Sequence, residues 1–193
     1  VRTKVKDFIH CDSEKEVVFT SGATDSLNKI VFGYMKYYLQ AGDEVLITKA
    51  EHASNVLPWL ELASEIGIKV RYIPLENHVV TIENVEKSIT PNTKVISLAH
   101  ITNVLGDIRP VEKIGKLCRE NHILFVVDGA QSVPHIKVDV KELGIDFLAF
   151  SAHKMLGPTG VGVLYGRCEL LEKLKPTQVG GGMNATFLST GEV

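Results

Sequence analysis

What this chain is short of narrows its class before any motif is read. Its cysteines, Cys11, Cys118 and Cys168, are odd in number, widely spaced and without a C-x-x-C pair, which argues against a disulfide framework and against a zinc knuckle. A reducing, cytoplasmic compartment suits that usage. No apolar run approaches the roughly 20 residues of a spanning helix, so a membrane span is not expected. Charge of one sign is missing as well: 21 Lys and Arg face 23 Asp and Glu, and the formal net charge of −2 leaves no basic footprint for nucleic acid or an anionic membrane. Val1 opens a polar, lysine-bearing stretch with neither an apolar segment nor a small-residue cleavage site, so no secretory signal is expected. The first residue is not Met, and the expectation is a chain that begins inside a longer gene product.

What is there suits a folded protein of alternating elements. With 45% hydrophobic and 23% charged residues over 193 positions, disorder and collagen-like repeats are excluded. Strands are expected at 16–20, 44–48, 69–73, 93–98, 123–127, 147–150 and 161–165. Between them come helical patterns: one carrying Leu27 to Leu39 and closed by Gly42, one at 60–66 begun by Pro58 and ended by Gly67, and two more at 82–88 and 111–121. Several strands are continuous apolar runs, as an α/β fold with a mostly parallel sheet and helices on both faces requires. The Gly157-Pro158-Thr159-Gly160 turn leaves no room for a crossover before 161–165, so that strand is expected to run antiparallel to its neighbour. Residues 1–178 read as one large domain, and 179–193, with Gly180, Gly181, Gly182 and a polar tail, as a loop leading into the remainder of a longer protein.

In open parallel sheets ligands bind at the carboxyl ends of the strands. Polar clusters fall there: Ser21 to Thr24, Glu51-His52, His100 to Asn103, Asp128 to Gln131 and Ser151 to Lys154. Gly22 and Thr24 open a long helix, where free N–H groups and the dipole favour a phosphate. Alone, this S-G-x-T pattern reads first as a helix cap. Neither G-x-G-x-x-G nor a P-loop is present, which disfavours dinucleotide and P-loop chemistry. Asp128 is open to three readings, as a structural cap, a metal ligand or a counter-ion. His52, His100 and His153 lack the spacing of a metal site, so no metal is expected. Lys154 is a solvated lysine by default and a Schiff-base amine by position. Taken together, the parts are those that pyridoxal 5'-phosphate (PLP) requires. Gly22 to Thr24 would cradle its phosphate, His52 lie on the ring face, Asp128 meet the pyridine nitrogen and Lys154 the aldehyde carbon.

The same stretches carry a family resemblance. Ser21 to Asn28 (S-G-A-T-D-S-L-N), Glu51-His52 through Pro58-Trp59, His100 to Gly106 (H-I-T-N-V-L-G), Asp128 to His135 (D-G-A-Q-S-V-P-H) and Ser151 to Gly162 (S-A-H-K-M-L-G-P-T-G-V-G) succeed one another in the family's order. They resemble the class V aminotransferases of PLP fold type I, and among them the SUF-type cysteine desulfurases, with selenocysteine lyases as near relatives. The resemblance implies that His52 stacks on the cofactor and serves in acid–base steps, and that Asn103 contacts the substrate carboxylate or the phenolic edge. It also implies that Gln131 bonds the phenolic oxygen, and that Ser151 and His153 bind phosphate beside Lys154, joined by Gly22, Ala23 and Thr24. Pro134 and His135 read as turn-shaping residues.

The activity so implied is removal of sulfur from L-cysteine, leaving L-alanine and a protein persulfide for a sulfur-acceptor protein in iron–sulfur cluster assembly, by a cytoplasmic homodimer. Other readings are a further class V enzyme, such as a selenocysteine lyase or an epimerase-like member, and a non-catalytic binding remnant. The chain departs from the pattern at Ala23, where relatives often carry a second Thr, and at Ala53, where many carry a second His. The family's nucleophilic cysteine and carboxylate-binding arginine would come after the end of this chain. Cys118 is expected in a helix core, Cys168 at a helix start and Cys11 in a linker, so the chain alone is expected to be inactive.

Overall fold

The computed structural model describes residues 1–180. In chain order its elements are α1 (Arg2–Ile9), β1 (Val17–Thr20), α2 (Ala23–Asn28), a π-helical stretch (Lys29–Met35) running on into α3 (Lys36–Tyr38), and β2 (Glu44–Ile47). Next come α4 (Leu57–Ile66), β3 (Lys69–Tyr72), α5 (Ile82–Ser88), β4 (Thr93–Ala99), α6 (Val111–Glu120), β5 (Leu124–Asp128), β6 (Phe147–Ser151), β7 (Gly162–Gly166) and α7 (Cys168–Leu171). The strands form one seven-stranded sheet in the order β1-β7-β6-β5-β4-β2-β3. Pairings among β2 to β6 are parallel; β7 runs antiparallel to β6, as its short glycine-rich connection requires, and antiparallel to β1 as well.

Both faces of the sheet are covered, and the pleat sorts the core into two layers. Along β5, Phe125 and Val127 pack with Ile9, Val85, Ile114 and Cys118 from α1, α5 and α6. The intervening Val126 packs on the other side with Leu27, Ile30, Met35, Trp59 and Leu62 from the long helix and α4. Gly67 ends α4 in the left-handed conformation at φ 77°, the C-terminal stop that its position suggested. No described helix is long and apolar enough to cross a membrane.

Three details differ from the sequence-based expectation. α1 was not anticipated, because RTKVKDFI buries only Ile9 fully and presents no apolar stripe. The long helix ends at Tyr38, and Gly42 lies beyond it in the next turn at φ 91°. The π-helical stretch was also unforeseen. Within it Gly33 lets the chain after α7 lie directly on the helix: a Cβ there would come within 2.7 Å of the Lys175 carbonyl oxygen, and the Lys175 N–H donates to the Gly33 carbonyl at 2.9 Å. Of the expected glycine run, only Gly180 falls among the described residues; Gly181, Gly182 and the polar tail lie outside them.

Candidate active site

The carboxyl ends of β2, β4, β5 and β6 open on one edge of the sheet, and there the chain forms a cleft of about 190 Å3. Each strand end delivers its side chain by a local device. After β1, close packing decides the geometry: a Cβ on Gly162 would collide with the Gly22 backbone, so the start of β7 sits flush against the turn into α2. The Ala23 N–H at that turn donates to Ser151 Oγ at 2.7 Å, tying the helix start to the end of β6. After β2, His52 caps a 3-10 turn (Ala53–Asn55), its Nδ1 accepting from the Ser54 N–H at 3.2 Å. A ring nitrogen that accepts carries no proton, so the neutral imidazole holds its proton on Nε2. Ser54 Oγ lies 3.0 Å from the same Nδ1 and 2.8 Å from Thr24 Oγ1, which links the His52 turn to the helix start.

After β4 the chain makes a hairpin closed by an Ile101–Ile108 bridge, which brings Asn103 to the cleft. Asn103 Oδ1 accepts from Gln131 Nε2 at 2.7 Å and lies 3.5 Å from Lys154 Nζ. Lys154 stands on a 3-10 turn (Ala152–Met155) directly after β6. Asp128 ends β5, buried, with Oδ1 accepting the Ala130 N–H at 2.9 Å. Among the described residues its carboxylate has no ion-pair partner. Burial pushes the Asp128 carboxyl above the usual carboxylate range; the Glu51 charge adds to this, while the Ala130 N–H, Lys154 and His52 pull against it.

Thus Ala23, Thr24, His52, Asn103, Asp128, Gln131, Ser151, His153 and Lys154 all line one cleft, and Gly22 forms the backbone turn beside it. His135 stays outside, its Nδ1 2.5 Å from the Gln131 carbonyl oxygen, where it shapes the turn. None of the three cysteines lines the cleft. Cys118 is buried in α6, Cys168 begins α7, and Cys11 lies just after α1, its thiol pushed up to about 11 by burial.

Sequence reasoning missed what lies beneath the site. Glu51 and Arg109 form an ion pair whose side chains are both 0% exposed. Glu51 Oε2 also accepts from the Ala99 N–H at 2.7 Å and from Asn55 Nδ2 at 3.0 Å. Thr48 Oγ1 donates to Glu51 Oε1 at 2.7 Å and accepts from Arg109 Nη2 at 2.9 Å. The one available signal was an arginine in the apolar setting of Ile108-Arg109-Pro110.

A cleft of this make fits PLP on the structure's own terms. It holds a buried carboxylate lacking a cationic partner, a primary amine lacking a carboxylate partner among the described residues, and a helix start beside two hydroxyls.

The whole chain was also compared with known proteins. A family model described as aminotransferase class-V matches residues 1–191. A probable cysteine desulfurase of Halalkalibacterium halodurans is 46% identical over 183 residues, covering 94% of this chain and 45% of the relative. The crystal structure of the cysteine desulfurase CsdA from Escherichia coli superposes with a TM-score of 0.94 at 37% identity, over 98% of this chain and 48% of that one. The apo cysteine desulfurase of Thermococcus onnurineus gives 0.92 at 39% identity, over 98% and 47%. The chain spans about half the length of the curated relatives it matches. With the family model spanning nearly every residue and the strand ends converging on one cleft, the chain belongs to the class V aminotransferase family.

Proposed function

We propose that this chain is the PLP-binding part of a cysteine desulfurase, residues 1–178 forming the large domain and 179–193 leading towards the remainder. The observation that carries this reading is the pairing, in one cleft, of an amine at Lys154 with a buried carboxylate at Asp128 that lacks a counter-ion among the described residues. Bound there, PLP would supply an electron sink for negative charge developing at a substrate α-carbon. Asp128 would keep a proton on the pyridine nitrogen, since an opposite charge in a buried setting favours the protonated ring. Gly22, Ala23, Thr24, Ser151 and His153 would hold the phosphate, using the helix start and neighbouring hydroxyls. Gln131 and Asn103, already bonded to each other, would face the phenolic edge, and Lys154 would hold the cofactor covalently. His52, with its proton on Nε2, would stack on the ring and move protons.

The relatives' names support L-cysteine as substrate; L-alanine and a persulfide as products, a sulfur-acceptor protein as partner and a homodimer as the working assembly follow from the family resemblance alone. The nucleophilic thiol would come from sequence that this chain does not span, since Cys11, Cys118 and Cys168 all lie away from the cleft. The test is borohydride reduction of the full-length protein with PLP, then peptide mass spectrometry and assay of alanine from L-cysteine. A pyridoxyl label on Lys154 with alanine release is expected. A label on another lysine, or no turnover of cysteine by a labelled enzyme, would overturn the reading.

A further inference from the structure

The Glu51–Arg109 pair does more than fill the space under the cleft. Glu51 immediately precedes His52, so its carboxylate fixes the turn from which that imidazole is presented. Arg109 stands at the far end of the hairpin that carries Asn103. The Ile101–Ile108 bridge sets the hairpin's register: the Arg109 N–H donates to the His100 carbonyl at 2.9 Å, and the Thr102 N–H to the Asp107 carbonyl at 3.0 Å. His100, Thr102, Asp107 and Arg109 therefore share the inner face, opposite Ile101 and Ile108. That inner face is thinly bonded, since His100 Nδ1, Asp107 Oδ2 and Arg109 Nε are buried without a hydrogen-bond partner among the described residues. The guanidinium contacts with Glu51 and Thr48 are what hold the hairpin's base to the rest of the protein through side chains.

We propose that the buried Glu51–Arg109 ion pair is a clamp that positions two walls of the cleft together, the His52 turn and the Asn103 hairpin. The consequence for the PLP site rests on the function proposed above, while the coupling of the two loops does not. A further hydrogen bond carries the clamp to the cleft floor: Glu51 Oε2 accepts the N–H of Ala99, the last residue of β4 and itself a cleft-lining residue. Asn55, held by Glu51, accepts from Ser97 Oγ at 2.6 Å, so the His52 turn is also bonded to the neighbouring strand. Glu51 and Arg109 are positioning residues, since neither lines the cleft.

The test uses the full-length protein in four forms: R109M, E51Q, R109K and the double variant E51Q/R109M. Amide hydrogen exchange without PLP reads the loops, and PLP dissociation with visible circular dichroism reads the site. In each single neutral variant, exchange at 52–55 and at 101–108 should rise together, and PLP affinity should fall about tenfold, the scale of lost outer-shell support. R109K, which keeps the charge, should recover part of both. The double variant should regain thermal stability, because no buried charge is left unpaired, yet keep fast exchange in both loops and weak binding. If exchange rises in one loop only, or if the double variant recovers tight loops along with stability, the clamp is refuted. If no form binds PLP, the functional reading fails while exchange still decides the clamp. Should R109M or E51Q not fold, R109K and the double variant carry the same decision.

Discussion

Two aspartates at opposite ends of two neighbouring strands make an instructive pair. Asp128 ends β5 and Asp146 immediately precedes β6, both are buried, and burial pushes both carboxyls above their ordinary range. Their surroundings differ. Asp146 accepts the Phe125 N–H at 2.8 Å and Arg167 Nη1 at 2.9 Å, so it staples the start of β5 to the chain after β7. Asp128 accepts only the Ala130 N–H among the described residues, and Lys154 acts on it through space. A carboxylate saturated by protein groups serves the fold; one held half-satisfied at a strand end is stabilised only when a ligand brings a cation.

The largest expected effect breaks the pair apart by activity. Asp128→Asn should lower turnover of L-cysteine by the full-length enzyme by about 10^2–10^4-fold, the span of a group that holds a reacting proton in place. Its melting temperature without PLP should not fall, because a buried charge lacking a partner has been removed. Turnover within twofold of the parent, measured by alanine release, would remove Asp128 from the mechanism.

A buried group of opposite type extends the comparison. Burial pulls the His100 imidazole down to about 4 from its ordinary 6.5, and its Nδ1 has no partner among the described residues. As pH falls below 6.5 the unfolded chain takes up this proton first, so stability falls with acidification until about pH 4, by roughly 3 kcal/mol at full protonation. His100→Gln should flatten that part of the denaturation profile between pH 7 and 4.5; an unchanged slope would show that His100 is not the group responsible. Next in size is Asp146→Asn, which weakens the bonds to Arg167 and Phe125 and should cost about 1–3 kcal/mol in chemical denaturation. Turnover per folded molecule should stay at the parent value. A loss of turnover without a loss of stability would reverse the roles assigned to the two aspartates.

The sheet was legible because buried parallel strands write themselves as apolar runs bounded by turn residues, and the antiparallel β7 could be inferred from the lack of a crossover after Lys154. The cleft was legible for a related reason: every residue expected to bind cofactor ends a strand, follows one within a few residues or begins the helix after one. The clamp was not. Glu51 and Arg109 are 58 positions apart, and nothing in either local sequence announces a partner. The π-helical stretch escaped because Lys29–Met35 has ordinary helical periodicity; what distinguishes it is Gly33 under the Lys175 carbonyl, a contact made by a distant part of the chain. α1 escaped because it docks a single fully buried side chain.

The smallest expected effect lies at the rim of the edge that Asp146 occupies. Asp12, Glu16, Arg119, Lys141, Asp146, Arg167 and Glu169 line a second cleft there, and its charges pair largely with one another. Lys141 meets Asp12 at 2.8 Å with both side chains more than half exposed, and Arg167 bonds Glu169 as well as Asp146. Charges satisfied by each other and by water leave little attraction for a ligand, and an exposed pair contributes little to the fold. Lys141→Ala should therefore shift the melting temperature by no more than about 2 °C, with a smaller shift still at high salt. PLP affinity and cysteine turnover should be unchanged. If Lys141→Ala instead changed turnover, the second cleft would have to communicate with the first through β5 and β6, and Asp146 would no longer serve as the inert member of the pair.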